Sequence, residues 1–362
     1  MSTTKATVNR LGLSTRTTPN SVSLPDYQRN RLEDIGFLTA MTLVLMGNYS
    51  QTGHLGGPLA YIPYTVASHL VGAGLGGLRF DYRRPKHPYA DKFMLAGGHA
   101  APATYALWMI MGEALARKQA RTGDDRYSVD PKLAMLSIDA LGFRRGREPL
   151  DRLLRENDLE AHPLMTQSKL RGIRALSGHS ETTDLTNDVN GGPSGIGIAT
   201  AAGKAAFWDM IGAPDSLKII AIEGEFALTS GHSQELKTQA VAQQVGKRLR
   251  ILLSFNNAGI DDELVGSVIR PEYGAYKIED QWASYGWNVL TVEDGNNYDQ
   301  IVAALKTMED WDPSDDRPMI LVGRTVKGWW PGAENGTIPG YGEQLVSYQS
   351  HPYALAMNGD YF

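Results

Sequence analysis

Leu32, Ile35, Leu38, Thr42 and Leu45 follow one another at steps of three and four, and this largely apolar stripe predicts a helix over 27–47. Residues 1 to about 25 have no such period. They are rich in Ser, Thr and Pro and read as a flexible or wrapping arm, placed at 1–27. Beyond the first helix the pattern predicts a helix over 61–71, a short strand over 91–95 and a small-residue helix over 101–116. Pro102 suits the first turn of that last helix, where a missing N–H costs nothing. Residues 117–175 are charged and only weakly periodic, and read as an insertion or surface subdomain.

The second half of the chain alternates more regularly. An Ala-rich helix runs to about Ile211 and a strand follows over 217–222. The helix predicted over 234–246 carries Leu236, Ala240, Val241 and Val245 on one side. Then come a strand at 250–255, a helix at 279–285, a strand at 288–292, a helix at 298–308 and a strand at 319–322. Strands alternating with helices predict an α/β fold, a parallel sheet with helices on both faces. In such a sheet ligands sit beyond the carboxyl ends of the strands. The α/β domain is expected over 28–325, and 326–362 reads as a Gly-, Pro- and Tyr-rich tail.

Composition narrows the function. The chain has 362 residues, 42% of them hydrophobic and 21% charged, values ordinary for a globular protein. A net charge of −5 argues against broad nucleic-acid binding. The absence of Cys excludes disulfides, thiolate metal sites and Cys nucleophiles. Met1 to Asn20 lacks an apolar signal core, and no run of about 18 apolar residues offers a membrane span. A cytoplasmic protein, bound to neither membrane nor nucleic acid, is the expectation.

Two strand ends carry the most pointed chemistry. Ile222-Glu223-Gly224-Glu225-Phe226 runs an apolar strand into an acid, and Asn256-Asn257 ends the next predicted strand. A carboxylate from Glu225, the Asn257 amide and the carbonyl of Gly259 are oxygen donors of the kind Mg²⁺ takes, usually together with phosphate oxygens and water. A buried Glu beside a turn-forming Asn-Asn would look the same in sequence. Gly191-Gly192-Pro193-Ser194-Gly195-Ile196-Gly197 is a glycine-rich turn into a helix, where backbone N–H groups can face a diphosphate or simply pack closely. Gly53-His54, Gly98-His99 and Gly178-His179 each place an imidazole in a loop between elements, suited to proton transfer and hydroxyl recognition. His232, by contrast, reads as a local packing or capping residue.

Taken in order, these motifs resemble the N-terminal, diphosphate-binding half of the transketolases, over about residues 28–355. Gly53-His54-Leu55-Gly56-Gly57-Pro58-Leu59 is similar to the family's Gly-His-Pro-Gly-Ala-Pro-Met/Leu. Asp91 to His99 is similar to Asp-Arg-Phe-Val-Leu-Ser-Asn-Gly-His, and Ser177-Gly178-His179 to Pro-Gly-His. Gly192 to Gly197 resembles Gly-Pro-Leu-Gly-Gln-Gly, and Gly224-Glu225-Phe226 with Asn256-Asn257 resembles Gly-Asp-Gly with Asn-Asn about thirty residues on.

The resemblance implies a thiamine-diphosphate-binding fold and the roles that follow. His54, His179 and, in a late Ser350-His351 pair, His351 would face the substrate and the reacting centre. His99, Gly224, Glu225, Phe226 and Asn257 would lie at the diphosphate, and Gly192, Pro193 and Ser194 against the aminopyrimidine. Glu225, Asn257 and Gly259 would hold Mg²⁺ or Ca²⁺. The implied reaction passes a two-carbon ketol unit between sugar phosphates.

Four departures accompany the likeness. Glu225 is a methylene longer than the family's Asp, and Phe226 replaces a Gly whose bare backbone admits the diphosphate. Ser230 stands where a relay Glu is usual, although Glu235 remains. The chain also has no room for the pyrimidine-binding domain after Val322. A separate pyrimidine-domain chain is therefore the expected partner, in a dimer of heterodimers, with Trp329, Trp330 and the Tyr-rich terminus suited either to that interface or to ordinary packing. Two rivals stay open: an E1-type 2-oxo acid dehydrogenase subunit, and a degenerate, non-catalytic subunit of the same fold.

Overall fold

Successive residues of the central strands feed two different cores. Ile220, Ile222, Leu252, Leu290 and Leu321 point to one face of the sheet, while Ile219, Ala221, Ile251, Leu253 and Val322 point to the other. Strands buried on both faces must be apolar at every position, which is why these segments read as continuous Ile-Leu-Val runs. The computed structural model describes residues 6–8, 14–17, 27–50, 53–144, 156, 173–242, 245–256 and 278–331.

The sheet holds seven strands in the order β1-β2-β6-β7-β5-β4-β3. These are β1 (Ala6–Val8), β2 (Ser14–Thr17), β3 (Lys92–Leu95), β4 (Ile219–Gly224), β5 (Leu249–Phe255), β6 (Asn288–Val292) and β7 (Met319–Arg324). Strands β2 to β7 pair in parallel, and β1 runs antiparallel to β2. The N-terminal arm thus contributes two strands to the sheet's edge, where only a wrapping segment was expected. The Thr-rich run Ser14–Thr17 has the β-branched content that suits such an edge.

Helices α1 (Arg29–Ser50), α2 (Gly56–Leu70), α3 (Ala101–Thr122) and α7 (Tyr298–Glu309) share one core. Helices α4 (Ile196–Met210), α5 (Gly231–Ala242) and α6 (Ile278–Ser284) share the other. The predicted α/β class, with helices on both faces, is the observed one.

Most boundaries moved by a few residues, and three of the moves matter. Helix α2 starts at Gly56, five residues ahead of the prediction, so the glycine loop is its first turn. Helix α3 continues to Thr122, taking the first turns of the expected 117–175 insertion, and closes on Gly123 at φ 65°. Strand β4 extends to Gly224, past the predicted end at Ile222, because Glu223 and Gly224 still pair with Leu253 and Ser254 of β5. Glu223 is thereby a strand residue.

Candidate functional site

Strands β3, β4, β5 and β7 are parallel neighbours, so their carboxyl ends lie side by side at one edge of the sheet. A cavity of about 320 Å³ opens there. Its walls come from the segments just past those strand ends, from the first turn of α2 and from the turn entering α4.

His54, His99 and His179, far apart in sequence, meet in this cavity. The His54 ring lies 5.5 Å from that of His99 and 5.7 Å from that of His179, centroid to centroid. Burial pushes the His54 imidazole down to about 4, with the neighbouring His179 and Arg144 adding to the effect. Burial, and then Arg144, lowers His179 as well. Both rings are therefore neutral at pH 7, able to donate at one nitrogen and accept at the other.

The loop glycines make this convergence possible. A side-chain carbon at Gly57 would lie 2.7 Å from His99 Nε2, and one at Gly98 would lie 2.6 Å from the Gly191 carbonyl oxygen. Gly192 and Ser194 line the mouth, and a carbon added at Gly192 would meet nothing within 4 Å. Pro193 is exposed beside them, and Gly195, at φ 83°, turns the chain into α4.

The floor is acidic and was only partly legible in the sequence. Glu223 lines the cavity and is 2% exposed. Its Oε1 accepts the Gly224 N–H at 2.9 Å, while Oε2 has no hydrogen-bond partner among the described residues. Burial raises this carboxyl to about 8, despite the Gly224 bond that favours the charged form; the nearby Glu225 raises it further. Glu225, 3% exposed, accepts the Asn256 N–H at 3.2 Å. Phe226 lines the cavity, and Gly224 does so too.

The buried Tyr61 hydroxyl, on α2, packs against the backbone of two cavity glycines. It would lie 2.7 Å from a side-chain carbon at either Gly97 or Gly224, so those two glycines leave it room. Lys327, just past β7, is a cavity residue that no sequence motif marks, and it is 3% exposed. Burial lowers its ammonium to about 8, and Glu225 opposes that shift. The available signal was a second acid in Glu223-Gly224-Glu225; Lys327 stands five residues beyond the strand predicted over 319–322.

A buried carboxyl oxygen without a partner, in a group that burial holds protonated until a cation is at hand, fits a bound cation, and with a second acid and a lysine at adjoining strand ends it fits an anionic group held through that cation. Asn257, Gly259 and His351 lie outside the described residues. Among the described residues no three His, Cys, Asp or Glu side chains cluster as a metal site by themselves. Ser230 donates to the Ala227 carbonyl at 3.0 Å and shares a bond with Ser233, whereas Glu235 is exposed. His232 is exposed near the start of α5.

Residues 159–349, more than half of the chain, match the family described as transketolase, thiamine diphosphate binding domain. The chain belongs to the transketolase family.

Within it, this chain is 31% identical over 334 residues to the transketolase of Geobacillus stearothermophilus, covering 88% of itself and 40% of that protein. It is 24% identical to a probable transketolase of Streptococcus pneumoniae, again covering 40% of that protein. A 6-deoxy-6-sulfo-D-fructose transketolase subunit, SqwG, of a Clostridium species is 25% identical and is covered over 84% of its length. The chain thus spans about two fifths or less of these transketolases and most of a transketolase subunit. Among solved structures, the transketolase of Campylobacter jejuni superposes with a TM-score of 0.61 at 19% identity, over 91% of this chain and 41% of that one. This transketolase-family chain has the family's thiamine-diphosphate-binding fold, and no helix of its described residues is long and apolar enough to cross a membrane.

Proposed function

We propose that this chain is one subunit of a transketolase-like enzyme that moves a two-carbon ketol unit between sugar phosphates. It would work with a separate chain carrying the pyrimidine-binding domain, as a dimer of heterodimers in the cytoplasm. The observation that carries the reading is the meeting of His54, His99 and His179 with buried acids at the strand ends of a thiamine-diphosphate-binding domain.

When bound, thiamine diphosphate supplies the carbanion stabilisation that side chains lack. His54 and His179, neutral and partly buried, orient sugar hydroxyls and pass a proton through their ring nitrogens. His351 is assigned to the same face of the substrate. His99 contacts the diphosphate, with Gly224 and Phe226 beside it, and Gly192, Pro193 and Ser194 take the aminopyrimidine. Glu225, Asn257 and the Gly259 carbonyl hold Mg²⁺ or Ca²⁺, and the Glu223 carboxylate is a further donor to it.

Phe226 in the cavity wall favours one other reading, a non-catalytic subunit kept for assembly. Calorimetric titration with thiamine diphosphate and Mg²⁺, with and without a copurifying pyrimidine-domain chain, separates the two. The proposal expects saturable binding, lost in Glu225→Ala. Absence of heat and of any thermal shift in both settings supports the assembly reading. Activity is then measured with xylulose 5-phosphate, 6-deoxy-6-sulfo-D-fructose and pyruvate as donors. Consumption of pyruvate alone overturns the ketol-transfer proposal in favour of a 2-oxo acid dehydrogenase component.

A further inference from the structure

Residues 79–91, between α2 and β3, take no part in the roles above. The run Arg79-Phe80-Asp81-Tyr82-Arg83-Arg84-Pro85-Lys86-His87-Pro88-Tyr89 mixes cations with aromatic rings. A cavity of about 520 Å³ opens against it. Arg79, Asp81, Arg84, His87 and Tyr89 line one side, and Ser216, just ahead of β4, lines the other. The cavity lies at the amino ends of β3 and β4, the edge of the sheet opposite the histidine cavity. Its volume is ordinary for a small-molecule site.

The sequence builds this wall from turns. Pro85 and Pro88 each take the second position of a four-residue turn, where a fixed φ suits the bend. Accordingly the His87 N–H donates to the Arg84 carbonyl at 3.0 Å, and the Ala90 N–H to the His87 carbonyl at 2.9 Å. A preceding turn closes from the Arg84 N–H to the Asp81 carbonyl at 2.8 Å. The Arg79 guanidinium donates to Ser216 Oγ at 3.1 Å and to the Tyr89 carbonyl at 3.3 Å, tying the wall to the segment before β4. A backbone held this firmly has little freedom left to lose when a ligand arrives.

The side chains on it are complementary to one kind of molecule. Arg83 grips Asp81 through Nε at 3.0 Å and Nη2 at 2.8 Å, which cancels the acid in the wall. The Arg84 side chain is exposed and makes no hydrogen bond or ion pair among the described residues. The Tyr89 N–H donates to His87 Nδ1 at 3.2 Å, so Nε2 carries the ring hydrogen and can donate it. Tyr89 itself is 61% exposed, its ring 6.0 Å from that of His87. An open aromatic face offers a stacking platform for a base, and a guanidinium takes phosphate oxygens in pairs.

We propose that this cavity binds a nucleoside monophosphate, with its base on the Tyr89 ring and its phosphate between Arg84 and His87. One phosphate suits a wall with one uncommitted guanidinium. The assignment is independent of the thiamine-diphosphate reading and gives the chain a second ligand site, at the other edge of the sheet.

Calorimetric titration of the full chain tests it, with adenosine 5′-monophosphate, adenosine and inorganic phosphate as probes. The nucleotide is expected to bind saturably, and adenosine and phosphate each at least about tenfold more weakly. Arg84→Ala should weaken the nucleotide about tenfold or more, as loss of a charge-assisted bond does, and Tyr89→Ala about tenfold through lost stacking. Tyr89→Phe keeps the ring and should bind like the unsubstituted chain; Arg84→Lys keeps the charge and should recover part of the loss. Both residues are exposed, so an unchanged thermal midpoint in each variant guards against misfolding. No saturable binding at millimolar nucleotide overturns the proposal. Affinity unchanged within about twofold in Arg84→Ala also overturns it; if it falls in His54→Ala instead, the nucleotide sits in the histidine cavity. Loss in Arg84→Ala with Tyr89→Ala unchanged overturns the nucleoside assignment, because a bare oxyanion site needs no ring.

Discussion

His69 shows how burial fixes the chemistry of one side chain. It lies in the core on α2, its Nδ1 2.8 Å from the Thr65 carbonyl and its Nε2 3.0 Å from Thr186 Oγ1. The carbonyl can only accept, so Nδ1 carries the hydrogen and Nε2 accepts from the threonine. Burial pushes this imidazole down to about 4. Its folded value is thus below the unfolded one, about 6.5, and the unfolded chain binds more protons between the two. The stability His69 contributes is complete above about pH 6.5 and falls away as pH drops through about 4, by roughly 3 kcal/mol in total. Urea unfolding between pH 7 and pH 4 should show His69→Gln with a flatter pH dependence than the unsubstituted chain; parallel curves would refute the assignment. At the cavity, Phe226→Gly tests whether the aromatic ring encroaches on the ligand. It is expected to raise thiamine diphosphate affinity severalfold at a stability cost of about 1 kcal/mol, and unchanged or weaker binding in calorimetry would exonerate the ring.

At the scale of elements, close approach decides which glycines can change. Helix α4 packs so tightly on the end of β3 that a side-chain carbon at Gly197 would lie 2.4 Å from Ala96 Cα. Gly197→Ala should cost about 2 kcal/mol or more, because backbone must move. Gly203, exposed in the same helix, has nothing within 4 Å, so Gly203→Ala should stabilise by roughly 0.5–1 kcal/mol. Denaturation midpoints moving in opposite directions would bear out this packing. The elements themselves were legible where their pattern was long: α1, β5, β6, α7 and β7 fall within a few residues of their predicted spans. Strand β4 misled at its end. Glu223 is charged, so polarity argued for a stop at Ile222, yet pairing with β5 carried the strand two residues further. Of the cavity residues, the three histidines were legible because each follows a loop glycine. Lys327 was not, because it stands alone in a Gly- and Trp-rich stretch whose neighbours say nothing about folding back onto Gly56.

For the whole molecule, the two cores imply different neighbours. Trp330 belongs to the α1 core and packs edge-on to Phe37 at 6.3 Å, so at least one of the two tryptophans stabilises this chain itself. The arm strands were invisible to periodicity because three or four residues are too few to show one. Their placement has a practical consequence. Strand β6 is paired on one side by β7 and on the other, among the described residues, by β2, through Thr15, Arg16 and Thr17. Removing residues 1–17 would strip that cover and leave a row of β6 N–H and C=O groups able to recruit another chain. Such a truncated chain should self-associate in light scattering while its helical circular dichroism persists; a stable monodisperse truncation would mean the border needs no guard. A short polar leader that looks dispensable would then be what keeps these molecules apart.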